Sequence, residues 1–107
     1  DCLRNMSEEL VQERMEPFVR LLREKRPRTP ILCAGDVFLD NPKDTPRSRI
    51  TRESVERLQR SGVSDVHYLP MRGAWGDDGE GTVDGTHPTD LGMSRQAAVF
   101  ARALRRF

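Results

Sequence analysis

The 107 residues predict an α/β domain of the doubly wound kind, a three-layer arrangement built on a parallel sheet. Three observations carry that prediction. Two short apolar runs, closed by Gly-Asp and by Pro, read as strands buried on both faces. Amphipathic helical stretches alternate with them. The resulting order of helix, strand, helix, strand, helix is the beat of parallel-sheet crossovers. At the front, "DCL" reads as the tail of a third strand. The expectation is therefore a single partial domain over residues 1–107, the C-terminal part only of a longer fold.

Each element has its own signals. In "NMSEELVQERMEPFVRLLREKRP" Ser7 is placed to cap a helix, and Glu8 and Glu9 fall where the helix dipole favours negative charge. Val11, Met15, Phe18 and Leu22 form one stripe, Arg23, Lys25 and Arg26 crowd the far end, and Pro27 stops it. A helix from about Glu8 to Lys25 follows, with a bend near Pro17. "PILCAGD" then gives a strand at Ile31, Leu32, Cys33 and Ala34. The Asp- and Pro-rich "VFLDNPKDTPRS" is a loop. A second helix is expected from about Arg52, capped by Thr51, with Val55 and Leu58 inward and Gly62 as its stop. "DVHYLP" is the next strand. "MRGAWGDDGEGTVDGTHPTD" holds five glycines, too many for regular structure. The closing helix runs from about Leu91 or Gly92 to Arg106, capped by Asp90, with Met93, Ala97, Phe100 and Leu104 on one side.

Composition narrows the function classes. With 18 basic against 17 acidic residues the net charge is +1, which gives no electrostatic case for a nucleic-acid partner or an anionic membrane surface. No apolar run approaches the ~20 residues that span a bilayer. Cys2 and Cys33 belong to no C-x-x-C pair, so zinc is not expected; both read as buried free thiols, with a disulfide between them left open should their strands be neighbours. "GDDGEG" offers oxygen ligands but lacks the alternation and closing glutamate of a calcium loop. Neither a metal nor a cofactor is expected.

In doubly wound folds, ligands sit beyond the carboxyl ends of the strands. Three loops fall there: around Asn5, from Asp36 to Asp40, and from Met71 to Asp90. The last contains "TVDGTHPTDLG", with Asp84 and His87 three apart. That block resembles the final motif of the SGNH (GDSL-type) hydrolases, where D-x-x-H-P supplies the acid and base of a catalytic triad. "DCLRNMS" resembles the oxyanion-asparagine block in a bacterial branch of GDSL-like lipase/acylhydrolases. "TPILCAGD", "GVSDVHYLP" and "GEGTVDGTHPTDLG" fall in that branch's order. The resemblance covers nearly the whole chain, and implies an SGNH/flavodoxin-like sheet and carboxylic ester hydrolysis through an acyl-enzyme.

Carried over position by position, the resemblance implies that His87 is the base and acid, that Asp84 orients it and that Asn5 donates to the oxyanion. The chemistry explains those types: a serine nucleophile needs an imidazole held in one tautomer by a carboxylate, and an asparagine amide can bond a developing oxyanion. Pro88 restricts the backbone at His87. Trp75, in the same loop, is a weaker candidate for the substrate pocket. The implied substrate is an acyl ester of a small molecule or carbohydrate. Arg4 stands where that branch often has proline.

The family's serine lies in a G-x-S block that would precede Asp1. None of Ser7, Ser48, Ser54, Ser61, Ser64 or Ser94 follows a strand in a glycine turn, so the nucleophile is expected outside this chain. The alternative is a non-catalytic truncated α/β piece or partner-binding module, with an exposed sheet edge pairing with the missing N-terminal segment or another chain. Individual residues have plainer readings too. Asp84 could cap backbone amides, Asn5 could open a helix, and His67 reads as a packed or edge histidine.

Overall fold

The computed structural model describes residues 5–37 and 44–107. The "DCL" strand tail, Cys2, Arg4 and the stretch from Phe38 through Asp40 lie outside the described residues. The element order is α1 (Glu8–Lys25), β1 (Ile31–Ala34), α2 (Pro46–Arg60), β2 (Val66–Leu69) and α3 (Asp90–Leu104). The two strands pair in parallel, Ile31 opposite Val66 through Ala34 opposite Leu69. A parallel pair needs a crossover, and α2 supplies it by packing on both strands and on α1.

The first helix has the predicted bounds. Ser7 Oγ accepts from the Leu10 amide, satisfying one of the orphan donors of the first turn. The helix is unbroken at Pro17, which is exposed, so the carbonyl of Glu13 that loses its backbone donor faces solvent. The inward stripe differs from expectation: Val11 and Val19 are buried, whereas Phe18 is 57% exposed. Val19 lies one turn from Met15 and two from Val11 on the same face; Phe18 is rotated off it.

The second helix begins six residues before the expected Arg52. Thr45, rather than Thr51, is the cap, accepting from the Ser48 amide, and Pro46 occupies the first turn where its missing N–H costs nothing. Thr51 is instead a buried side chain within the helix, its hydroxyl donating to the Arg47 carbonyl. At the other end Gly62 adopts φ +87° just past Ser61, as the stop requires. Val19, Cys33, Val55, Leu58 and Val66 form the core between α1, α2 and the sheet.

Arg23 does more than favour the end of α1. Its guanidinium donates to the carbonyls of Arg26, Pro27, Thr29 and Asp65, tying the end of the helix to the starts of both strands. Asp65 sits at φ +53° and its carboxylate bonds His67 Nε2 at 2.8 Å, while the His67 ring lies 4.8 Å from that of Phe107. His67 is an edge histidine with a structural partner.

The closing helix is capped by Thr89, not Asp90, whose place is the first helical residue. Its inward face also differs. Gly92 is buried and Arg95, Gln96, Val99 and Phe100 are partly covered, but Met93 and Leu104 are 56% and 55% exposed and Ala97 is exposed. Gly92 lies inward because α3 docks on the glycine-rich loop rather than on the strands: a Cβ there would run into the Gly81 carbonyl.

Candidate active site

The carboxyl ends of β1 and β2 open into a cleft of about 520 Å³. All three predicted loops reach it, through Asn5, through Asp36 and Val37, and through Met71, Trp75, Thr86 and His87, while α3 contributes Met93, Gln96 and Phe100. Asn5, Trp75 and His87 are thus brought to one cleft from positions up to 82 residues apart in sequence. None of the serines lines it. Ser48 and Ser54 are buried in α2, and Ser7 and Ser61 serve as helix caps.

The turn carrying the pair is a small hairpin. Thr82 bridges to Pro88 in antiparallel fashion, and both the Val83 amide and the Thr82 hydroxyl donate to the His87 carbonyl at 2.9 Å. Gly85 takes φ +80° at the tip, a conformation that penalises a side chain. Asp84 closes the turn from within: its Oδ1 accepts from the amides of Thr86 and His87 at 2.9 and 2.8 Å. Its Oδ2 lies 2.8 Å from His87 Nδ1. A carboxylate only accepts, so Nδ1 carries the proton in this bond, and in the neutral ring Nε2 is the nitrogen with the lone pair. The amide-capping and imidazole-orienting readings of Asp84 therefore coexist, one oxygen for each.

Those bonds favour the charged carboxylate. The His87 side chain first, then the His87 and Thr86 amides, hold the Asp84 carboxyl down at about 2, against an ordinary 3.8. Both side chains are solvent-accessible, His87 75% and Asp84 52% exposed. Solvent therefore screens the pair, and its role is orientation more than stability.

Beneath the hairpin, the rim of β1 is fixed by a buried network. The Asp36 carboxylate accepts from Thr45 Oγ1 at 2.9 Å and from Arg47 Nε at 3.2 Å, and the Asp36 amide donates to Ser48 Oγ at 2.7 Å. The cap of α2 is thereby tied to Asp36, which lines the cleft. Sequence reasoning missed Thr45 and Ser48 because the signal it followed, an apolar period, starts only at Val55. It also missed Arg95 and Gln96, whose partners lie about twenty residues away with no local pattern.

An Asp–His pair and an asparagine thus share one cleft at the carboxyl ends of two parallel strands. The family model of the GDSL-like lipase/acylhydrolase family matches residues 1–105, and the chain belongs to that family. Among solved structures it is similar to a Bacteroides ovatus protein assigned as a GDSL-like lipase, with a TM-score of 0.86 and 32% identity over 99% of this chain and 34% of that one. It also shares its fold with SsfX3, a salicylyl-acyltransferase from a tetracycline biosynthetic pathway, with a TM-score of 0.73 and 24% identity over 94% of this chain and 33% of that one. The chain spans about one third of the length of each. No protein of curated function matches it.

Proposed function

We propose that the chain supplies the base, its orienting acid and an oxyanion donor to a serine acylhydrolase whose nucleophile lies in a segment outside these 107 residues. The observation that carries the reading is the 2.8 Å bond from His87 Nδ1 to Asp84 Oδ2, made by a histidine that lines one cleft with Asn5. With Nδ1 bound, Nε2 is the nitrogen left to take a serine proton.

In the proposed reaction the serine Oγ forms a bond to the ester carbonyl carbon and its proton passes to His87 Nε2. The carbonyl oxygen becomes an oxyanion and accepts a hydrogen bond from the Asn5 side-chain amide. Collapse breaks the bond to the leaving alcohol, which takes the proton from the imidazolium. Water then attacks the acyl-serine, again giving its proton to His87, and the acid departs as the serine is regenerated. Asp84 stays ionised throughout, in keeping with its low pKa. The substrate class implied by the family is an acyl ester of a small molecule or carbohydrate, and Trp75, which lines the cleft, would be one wall of its pocket.

The test is steady-state hydrolysis of a p-nitrophenyl ester by a protein carrying both this chain and the serine segment. His87→Ala is expected to lower kcat by about 10⁴-fold or more, and unchanged turnover would contradict the reading. A second reading is a docking module without activity of its own. It is favoured by Leu91 and Leu104 of α3, which are 45% and 55% exposed and do not line the cleft. Among the described residues the sheet holds β1 and β2 alone, and a free strand edge is a template for another strand, from the upstream segment or from a second chain.

A further inference from the structure

We infer that Arg95 and Asp78 form a positioning clamp that holds the Trp75 wall of the cleft, and with it the loop carrying Asp84 and His87, against α3. The inference rests on the acylhydrolase reading, since it assigns residues that place the reacting groups without touching them. Arg95 stands in the second turn of α3. Its Nη1 donates to the Trp75 carbonyl at 2.8 Å and to Asp78 Oδ1 at 2.7 Å, and its Nη2 donates to Asp78 Oδ2 at 2.6 Å. The fork therefore grips both oxygens of the carboxylate and, with the same nitrogen, the backbone of the cleft residue. Two parallel bonds fix orientation as well as distance, which a single point charge does not. One residue on, Gln96 Oε1 accepts from the Trp75 indole Nε1 at 2.8 Å. Trp75 is thus held at its backbone and at its ring from adjacent positions of one helix.

Three glycines make this approach feasible. A Cβ on Gly76, which also has φ +91°, would collide with the Arg95 guanidinium. On Gly81 it would meet the Trp75 carbonyl, and on Gly92 the Gly81 carbonyl. The loop is stacked on α3 backbone against backbone. Its far side is tied as well, since Thr89 Oγ1 donates to the Glu80 carbonyl and the Thr89 amide to that of Gly81. The Arg95 clamp thus holds the loop ahead of the Asp84–His87 hairpin, and the Thr89 tie closes the hairpin's base. Asp78 also stays ionised within the clamp, because Arg95 first, and the Glu80 amide second, hold its carboxyl at about 2.

The experiment uses the protein that includes the serine segment, with rates normalised to folded protein. Arg95→Gln is expected to lower kcat about ten- to hundredfold with little change in KM, because misplacing a reacting group by about an ångström costs that much. Asp78→Asn should fall in the same direction, and the double variant should be no worse than Arg95→Gln alone, as expected for one device. Arg95→Lys, which keeps the charge but not the fork, should recover only part of the loss. The indole N–H resonance of Trp75, assigned by its disappearance in Trp75→Phe, should move in each single variant. Wild-type kcat in Arg95→Gln, or a fall matched by the lost folded fraction, would overturn the clamp while leaving the function intact if His87→Ala is still inactive. An active His87→Ala would instead remove the acylhydrolase reading itself. Should Arg95→Gln fail to fold, Asp78→Asn and Arg95→Lys carry the same comparison.

Discussion

Asp84 is the residue on which the site's order depends. Its side chain accepts three hydrogen bonds, two from backbone amides and one from the ring it orients. A carboxyl whose folded pKa is depressed stabilises the folded form above its ordinary value, and that contribution is lost as pH falls through the folded pKa. Here those limits are 3.8 and about 2. The hairpin is therefore expected to keep its bonds from neutral pH down to about 3 and to open as pH approaches 2. A carboxylate carbon titration by NMR measures this directly; a midpoint near 3.8 would mean that the bonds to His87 and Thr86 do not form in solution. The contact between Asp84 and His87 was suggested by the resemblance of "TVDGTHPTDLG" to a family motif; a spacing of three by itself suits a plain structural turn equally well.

Elements were legible to the extent that their signals are local. Both strands and α1 emerge within their expected bounds because short apolar runs and a cap followed by acidic residues are local patterns. The start of α2 was not legible. Its first two turns are polar, with Ser48 and Thr51 buried through hydrogen bonds to Thr45, Asp36 and Arg47 rather than through hydrophobicity. A reading by apolar period passes over such residues. The buried Thr45 carries both the cap and a bond to Asp36, so Thr45→Ala should cost about 1–2 kcal/mol, read as a lower urea midpoint with an unchanged slope. No change in midpoint would show that the Asp36 network adds nothing. For α3 the miss has another cause. The stripe Met93, Ala97, Phe100 and Leu104 is a sound helical period, but the helix turns its glycine to the loop instead, and partners so distant in sequence leave no trace in a period. Gly92→Ala should destabilise the fold by about 1–3 kcal/mol through overpacking against Gly81, measured by thermal or denaturant unfolding. Wild-type stability in that variant would show that the loop does not sit on α3 this closely.

At the scale of the whole molecule, the sheet rim gathers what the sequence scatters. Asn5, Trp75 and His87 come from the start of the chain and from one long loop, and only the parallel crossover through α2 lets their loops open on the same side. The rest of the cleft belongs to packing that no pattern of residues announces: the Arg95 fork, the Gln96 bond and the glycine stack. His87, oriented by Asp84, is proposed to be the general base for an acyl transfer to serine. Rapid-mixing measurement of acyl-enzyme formation, in a protein joining this chain to the serine segment, tests it most directly. A stoichiometric burst of p-nitrophenol from the parent protein, slowed by about 10⁴-fold or more in His87→Ala, is the predicted result. A burst of equal rate in the two proteins, or a burst from the 107-residue chain by itself, would contradict it.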